Sequence, residues 1–388
     1  MPEKVRFTAE EPVVVSMAPP EITKDRWGPW QFVSLARDPD SRRIYVRFWT
    51  GEDSVTDMGR PRKCLETADE GLTWAEATEE EFPGILLDSG DQLKSYEPKG
   101  VDRNSIELPD PVGKTFDYKL DRTLYRADDF PEDIREWRVW RKKEGEHQWR
   151  TEQVEMNIPG ATIMESNGLI VKRHIWNYRD LADGGCWAIH YFKRMVADKV
   201  ARVYYACETL KSEDNGKTWH LRGSIPYHYD PKADEYGQDR MGFSEPDMTR
   251  APDGSYVCFM RTTDFIGPGP LYVTRSTDEC WTWSTPEVFD DLGCWPRVVT
   301  LPNGVTVVCY GRPGFFIRYT SDPSLGEWEE RHALVPPGEI SRDTCSYGDI
   351  LPIDEETILV AFSDFQNFRD EKGRPRKSVV TQRIRLSV

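Results

Sequence analysis

The chain has 388 residues, of which 38 % are hydrophobic and 12 % aromatic, and its formal net charge is −16. This length suffices for one large domain or two ordinary ones. The negative charge argues against nucleic acid or an anionic membrane surface as a partner, because both repel an acidic protein. The sequence contains no apolar run long enough for a transmembrane helix.

The cysteines and histidines give no sign of a metal or cofactor. The eight cysteines form no Cys-x-x-Cys pair, and the six histidines form no His-Glu-x-x-His motif. We therefore expect reduced thiols, no cofactor and no metal. The stretch Met1 to Arg6 lacks the apolar core of a signal peptide, which favours a cytoplasmic location.

An eight-residue turn motif, Ser/Thr-x-Asp-x-Gly-x-Thr-Trp, recurs along the chain. It occurs at Thr67–Trp74, Ser212–Trp219 and Ser276–Trp283, with a degenerate copy at Ser321–Trp328. The short Asp side chain accepts hydrogen bonds from nearby backbone N–H groups and closes the turn, while Gly supplies a positive φ. Cys280 stands where the third copy should have Gly, so we expect that turn to be strained or differently shaped.

A second repeat alternates with the first. It consists of an apolar strand, a Pro-Asp-Gly-like turn and another apolar strand, which together predict a hairpin. The turns lie at Asp38–Ser41, Glu165–Gly168, Pro252–Gly254, Pro302–Gly304 and Pro352–Glu355.

Together the two repeats predict a single all-β domain over residues 1–388. A four-stranded blade needs roughly 40–50 residues, and the spacing of the turns then predicts a six-bladed β-propeller of four-stranded antiparallel blades. Residues 82–157 are the least regular part, and we assign them to the second blade with long loops. The extended stretch Val5–Val15 could complete the last blade beside Lys377–Leu386, which would remove exposed sheet edges.

The repeated Asp turns resemble the bacterial-neuraminidase repeats, or Asp boxes, of the sialidase superfamily. The resemblance covers most of the chain and implies a propeller whose boxes lie on the outer edges of the blades, away from any central site. In such a propeller the first strand of each blade lines the axis. The resemblance therefore implies a site assembled from these inner strands.

Three positions on the inner strands resemble functional residues of sialidases. Glu245, within Phe243–Gly254, matches the glutamate that partners the nucleophile, and Arg261 matches an arginine that binds the substrate carboxylate. The segment Cys345–Leu351 resembles the strand that presents the nucleophilic tyrosine, here Tyr347. Because the free pKa of tyrosine is near 10, the nucleophile needs a carboxylate base, and the resemblance gives that role to Glu245.

The resemblance also implies a second carboxylate-binding arginine, and Arg312 is similar to it in place. Arg318 is a rival for this role, and Arg297 on an inner strand is another.

The general acid of sialidases is an Asp on the loop before the first Asp box. Asp53 and Asp57 both fit this description, and we prefer Asp53 because it lies nearer the end of the inner strand. Such an acid must stay protonated near neutral pH, which requires burial or a neighbouring negative charge. Glu52 could supply that charge.

The chain departs from the family where sialidases carry their first carboxylate-binding arginine. Gln31 occupies that place, and glutamine lacks the bidentate, charge-assisted grip of a guanidinium on a carboxylate. We interpret Trp27, Trp30 and Gln31 as a stacking platform and hydrogen bond for an ordinary sugar ring, or else as a plug packed on the propeller face. This departure shifts the expected substrate away from sialic acid.

These features predict a carbohydrate-active protein whose partner is an oligosaccharide or glycoside. The first hypothesis is an exo-acting glycoside hydrolase that cleaves a terminal sugar, acidic sugars included, through Tyr347, Glu245 and Asp53. The second is a lyase acting on uronate-containing glycans, with a Tyr or a His as the base, for which His174 and His190 are candidates. The third is a carbohydrate-binding or scaffold propeller without catalysis. The sugar, the linkage and the oligomeric state remain open at this point.

Overall fold

The computed structural model is nearly all-β. Its described residues form thirty strands, one short α-helix, α1 (Glu132–Arg135), and three 3₁₀ segments at Arg103–Ser105, Ala127–Asp129 and Gly237–Asp239. The structure describes residues 4–53, 61–117, 120–175, 177–181, 186–194, 203–264, 266–338 and 343–388.

The strands follow one another along the whole chain. In order they are β1 (Arg6–Ala9), β2 (Val13–Met17), β3 (Gln31–Arg37), β4 (Ile44–Trp49), β5 (Arg62–Thr67), β6 (Ala75–Ala77), β7 (Ile85–Leu86), β8 (Gln92–Ser95), β9 (Val101–Asp102), β10 (Pro111–Asp117), β11 (Leu120–Arg126), β12 (Trp137–Lys142), β13 (Arg150–Asn157), β14 (Thr162–Ser166), β15 (Leu169–Val171), β16 (Asn177–Asp180), β17 (Cys186–Phe192), β18 (Ala206–Ser212), β19 (Thr218–Ile225), β20 (Ser244–Arg250), β21 (Tyr256–Arg261), β22 (Leu271–Ser276), β23 (Glu287–Asp290), β24 (Cys294–Thr300), β25 (Thr306–Gly311), β26 (Phe315–Thr320), β27 (His332–Val335), β28 (Asp349–Pro352), β29 (Thr357–Asp364) and β30 (Ser378–Ser387).

Three sheets share a simple plan of four antiparallel strands in chain order. They are β3-β4-β5-β6, β20-β21-β22-β23 and β24-β25-β26-β27. Their first strands bond to first strands of neighbouring sheets. Val298 N in β24 donates to Asp247 in β20 at 2.9 Å, and Leu35 N in β3 donates to Asp349 in β28 at 2.9 Å. The first strands therefore lie side by side around a common axis, which is the arrangement of a propeller.

The last sheet joins the two ends of the described chain. Its order is β1-β30-β29-β28, and β2 also pairs with β30. Both N-terminal strands run antiparallel to β30, with Arg6 opposite Ser387 and Val13 opposite Thr381. This pairing covers the edge that β30 would otherwise expose.

Eight strands from the stretch between β7 and β19 form one sheet. Its order is β16-β17-β18-β19-β13-β12-β8-β7, and a parallel contact between β13 and β19 joins two four-stranded halves. A further five-stranded sheet, β10-β11-β14-β15-β9, lies outside this series. The stretch 82–157 thus contributes to two sheets, because the long connection from β8 to β12 forms a hairpin of its own that pairs with the β14–β15 hairpin.

The three full copies of the Asp turn share one hydrogen-bond pattern. In the first copy the Thr67 hydroxyl donates to Asp69 at 2.7 Å, and Asp69 accepts from the Thr73 N–H at 2.9 Å. The other two copies make the equivalent bonds. Cys280 has a φ of 65°, close to the 75° of Gly216. The third turn therefore keeps the common shape and places a non-glycine residue in the left-handed region.

Apolar side chains fill the spaces between neighbouring sheets. One cluster, with Trp187, Phe243 and Tyr272, packs β17 and β18 against β20 to β22. All eight cysteines lie among the described residues, where they are buried and form no disulfide. Within the described ranges, no helix combines the length and the apolar character that crossing a bilayer would require.

Candidate active site

Three inner strands begin with the same irregularity. Pairing with the next strand shifts register between Gln31 and Ser34 in β3, between Ser244 and Asp247 in β20, and between Cys294 and Arg297 in β24. In each case the residue after the first has a positive φ. A bulge of this kind bends the strand and re-aims a side chain.

The side chains at these bulges converge at one end of the axis. They belong to Phe32, Glu245 and Trp295, with φ of 56°, 48° and 47°. Tyr347 precedes β28 at the corresponding place and follows Ser346, whose φ is 59°. We call Phe32, Glu245, Trp295 and Tyr347 the axial ring.

Glu245, Tyr347 and Arg261 form a connected trio in this ring. The Tyr347 hydroxyl donates to Glu245 Oε1, and the same carboxylate oxygen forms an ion pair with Arg261 Nη1. Arg261 Nη1 also donates to Tyr347 Oη at 2.5 Å. Arg261 is 2 % exposed, and Glu245 and Tyr347 are each 8 % exposed. The sequence-predicted nucleophile, base and arginine therefore meet in one buried cluster.

The electrostatics of the trio favour a neutral phenol at rest. Burial raises the pKa of Tyr347 well above its usual value, and the negative charge of Glu245 raises it further, while Arg261 and Arg312 oppose both effects. The second carboxylate oxygen of Glu245 is buried and has no hydrogen-bond partner within the described part of the chain. The trio thus contains one acceptor that is still available.

Aromatic side chains cover Tyr347 on two sides. The Trp295 ring stacks on it with 4.7 Å between centroids, and the Phe32 ring meets it edge-on at 4.7 Å. The Arg312 guanidinium lies 5.3 Å from the Tyr347 ring and 5.2 Å from the Trp27 ring, and its Nη2 donates to the Cys345 carbonyl at 2.8 Å. Arg312 therefore belongs to the site together with Trp27.

Gln31 and Asp53 lie beside this cluster and are linked through the backbone near Trp27. Gln31 is fully buried, and its Oε1 accepts from Gly28 N at 2.7 Å. Its Nε2 has no partner among the residues the structure describes. Asp53 N donates to the Trp27 carbonyl at 3.0 Å, and the Asp53 side chain is exposed.

The like-charged neighbour that was expected to keep Asp53 protonated has a partner of its own. Glu52, the expected like-charged neighbour, pairs with Arg26 at 2.7 Å, so its charge is compensated. Asp57, the other candidate acid, lies outside the described residues.

Arg297 is engaged elsewhere, in a polar network that links the inner strands. It donates to Asp349 and to Asn177, each at 3.0 Å. Asp247 accepts from Arg179 at 2.8 and 2.7 Å and from Asn177 at 3.0 Å. Burial alone would raise the pKa of Asp247, but Arg179 and Arg297 hold it below its usual value. We call Asn177, Arg179, Asp247, Arg297 and Asp349 the axial frame.

The remaining sequence candidates lie apart from the trio. Trp30 donates from Nε1 to Ser16 Oγ at 3.0 Å and packs in the core beside β4. Arg318 donates to the backbone carbonyls of Glu329 and Phe289 at 2.9 and 3.0 Å.

The two histidines of the lyase hypothesis lie next to each other. The His174 and His190 rings are 6.2 Å apart, and His190 also contacts Tyr191 and Phe192. Burial lowers the pKa of His174 to about 4. Burial lowers the pKa of His190 as well, which favours the neutral form of both imidazoles.

Sequence reasoning missed Phe32 and Trp295, although a signal was present for Trp295. Glu245-Pro246 and Trp295-Pro296 stand at the same distance before the hairpin turns of their blades. An X-Pro pair that opens an inner strand marks the bulge, because proline cannot donate to the ladder.

Within the described residues no group of three or more His, Cys, Asp or Glu side chains could hold a metal ion.

The comparisons with known proteins bear on the fold. No family model and no curated protein sequence matches the chain. A Dyadobacter fermentans protein of unknown function is similar in structure, with a TM-score of 0.65 and 15 % identity over 98 % of this chain and 99 % of that one. The GH93 α-L-arabinofuranosidase of Fusarium graminearum has a TM-score of 0.50 and 12 % identity over 96 % and 97 %. The NanB sialidase of Streptococcus pneumoniae has a TM-score of 0.50 and 13 % identity over 97 % and 70 %. The chain thus has the propeller fold of sialidases and GH93 arabinofuranosidases, with sequence similarity too low to assign it to either.

Proposed function

We propose that this protein is a glycoside hydrolase that removes a terminal sugar from an oligosaccharide or glycoside. The observation that carries the proposal is the hydrogen-bonded trio, in which the Tyr347 hydroxyl already points its proton at Glu245. The proposal counts the propeller as six-bladed, with the eight-stranded sheet as two blades.

In the first chemical step Tyr347 Oη attacks the anomeric carbon. The Tyr347–carbon bond forms while the glycosidic C–O bond breaks, and the phenolic proton passes to Glu245. The raised pKa of Tyr347 requires this transfer to accompany the attack, because a tyrosinate would not form beforehand. The Arg261 Nη1–H stabilises the developing phenolate and stays within hydrogen-bond distance of both partners.

A carboxylic acid must protonate the leaving oxygen, and we assign this role to Asp53. In the second step its carboxylate takes a proton from water, the water oxygen bonds to the anomeric carbon, and Tyr347 leaves and regains its proton from Glu245. Two displacements retain the configuration at the anomeric carbon. Bound sugar would have to exclude water from the exposed Asp53 side chain so that it is protonated at the start of the cycle.

The composition of the site favours a sugar other than sialic acid. Phe32 and Trp295 of the axial ring are apolar, and Arg261 is already occupied by Glu245 and Tyr347. Arg312 has one buried donor, Nε, without a hydrogen-bond partner in the described ranges, and Gln31 has another in Nε2. One guanidinium and one amide suit hydroxyl groups or a single carboxylate, as in a pentose or a uronic acid.

Activity of two variants tests this mechanism directly. Glu245→Gln and Tyr347→Phe should each lower the rate of glycoside cleavage by at least about 100-fold, measured over a panel of aryl glycosides. Glu208→Gln is the matched control, because Glu208 is 1 % exposed and pairs with Arg194 at 2.7 Å without touching the trio. Cleavage that survives both Glu245→Gln and Tyr347→Phe would refute the mechanism.

A second candidate is a carbohydrate-binding propeller without catalysis. The observation that favours it is the aromatic cover, since Trp295 and Phe32 contact the phenol ring that a substrate must reach. Binding of a sugar, measured by calorimetry, with no product after days of incubation would support this alternative.

A further inference from the structure

A large cavity lies at the end of the axis opposite to the trio. Its volume is about 1420 Å³, and its walls include the C-terminal halves of β3, β20 and β24, residues 177–179 of β16 and the whole of β28. The axial ring residues stand at the starts of these strands, and none of them lines the cavity. The two regions are therefore separated by the axial frame. We call this space the far cavity.

The far cavity is basic in an acidic protein. Seven Arg and Lys side chains line it against four carboxylates, although the whole chain has a net charge of −16. Arg37, Lys94 and Arg250 have no carboxylate at ion-pair distance among the described residues. Arg37 donates only to the Ile353 carbonyl at 3.2 Å, and Lys94 donates to the Phe82 carbonyl at 3.1 Å. Concentrated positive charge in a concave site attracts anions.

One wall of the far cavity is aromatic. Tyr96 and Trp140 lie with ring centroids 5.7 Å apart, and the Lys94 ammonium sits 4.0 Å from the centroid of the Trp149 ring. Trp149 is held in place by its Nε1, which donates to the Glu80 carbonyl at 2.8 Å. Aromatic walls with a few fixed polar groups are typical of ligand sites.

Arg250 is the most accessible of the unpaired cations. It is exposed at the end of β20, and no hydrogen bond or ion pair holds its guanidinium within the part of the chain that is described. A free guanidinium offers a bidentate grip on a carboxylate. Its position at the rim, with tryptophan faces on another wall, suits a ligand that has a flat apolar face and a carboxylate.

We propose that the far cavity is a second, non-catalytic site that binds carboxylate-bearing oligosaccharides such as oligogalacturonates. The aromatic wall contacts the apolar face of a sugar ring, and Arg250 binds its carboxylate. The site is distinct from the trio and would hold an anionic glycan at the opposite mouth of the propeller. This inference does not depend on whether the trio is catalytic.

Calorimetric titration of the full chain with trigalacturonate tests the proposal. We expect binding that weakens at least about tenfold in Arg250→Gln and in Trp149→Ala, as expected for loss of a charge-assisted contact or of an aromatic contact. Arg6→Gln is the matched control, because Arg6 is an exposed arginine on β1, far along the chain from the cavity. It should leave the affinity unchanged.

Two further measurements distinguish binding in the far cavity from binding at the trio. Tyr347→Phe should bind trigalacturonate as tightly as the unaltered protein, and neutral galactotriose should bind at least about tenfold more weakly than trigalacturonate. The proposal is overturned if the unaltered protein does not bind trigalacturonate, if neither Arg250→Gln nor Trp149→Ala weakens it, if galactotriose binds equally well, or if Tyr347→Phe abolishes binding. Loss of hydrolysis in Tyr347→Phe with unchanged binding keeps the two proposals distinct.

Discussion

Replacing Arg261 by methionine should leave the buried negative charge of Glu245 without its ion-pair partner. The two side chains are only 3 % and 6 % exposed, so water cannot replace the lost guanidinium. Removing one partner of a buried ion pair costs about 3–5 kcal/mol in the free energy of unfolding. The Arg261→Met variant also leaves the Thr263 carbonyl without the donor it has in the native protein, which places the expected loss in the upper part of this range.

The loss should depend on the charge of Glu245, which forms the buried ion pair with Arg261. A second substitution that removes this charge tests the point at neutral pH. In Arg261→Met/Glu245→Gln no charge is buried, so about 1–3 kcal/mol of the loss should be regained.

Urea unfolding at pH 7 measures these differences, with the slope of the transition checked for constancy. Arg385→Met is the matched control, because Arg385 forms an exposed pair with Glu356 at 2.8 Å and such pairs contribute at most about 1 kcal/mol. Additive losses in the double variant would show that charge burial is not what Arg261 relieves.

Three other substitutions or titrations follow from the geometry. Gly28→Ala should lower glycoside cleavage at least about tenfold, measured as kcat, because a Cβ at this φ of 113° would lie 2.2 Å from Asp53 N and displace the proposed acid; unchanged kcat would argue against Asp53. Gly223→Ala should destabilise the fold by about 2 kcal/mol or more in thermal or urea unfolding, since its Cβ would lie 2.0 Å from the Cys280 carbonyl. Hydrogen bonds from Thr73 and Thr67 lower the pKa of Asp69 to about 2. The contribution of Asp69 to the free energy of unfolding should therefore be complete above pH 4 and disappear as the pH falls toward 2. An Asp69 titration midpoint near pH 4, measured by NMR, would contradict this.

The local parts of the fold could be predicted from the sequence. The Asp turns close on bonds between residues at most four apart, as between Thr67 and Gly71, so a short motif contains all their information. Cys280 shows how strong this local preference is, because the turn keeps its shape without glycine.

The contacts between distant strands could not be predicted in the same way. The parallel pairing of β13 with β19 joins Glu155 to Thr218 across two hairpins, and nothing in either strand specifies the other. The additional sheet likewise depends on where the β10–β11 hairpin meets β14. Periodicity shows that such strands exist but not which partners they choose.

The candidate site was predictable in part for a related physical reason. Glu245, Arg261 and Tyr347 stand in recognisable segments, and the structure brings them together. Phe32 and Trp295 were missed because strand alternation places every second side chain on one face, and a bulge changes that parity. Whether these residues act on a substrate stays a prediction.

The axial ring and the axial frame divide the centre of the protein between two tasks. Ring residues such as Glu245 and Trp295 sit two positions before frame residues such as Asp247 and Arg297 on the same strands. The frame bonds the inner strands to one another, so a change in the ring leaves those bonds in place. The axial ring side chains can therefore be exchanged to suit a new ligand, in evolution or by design, while the hydrogen bonds between the inner strands are retained. In a propeller built in this way, the ligand-contacting side chain of one blade can be replaced without changing those of the other blades.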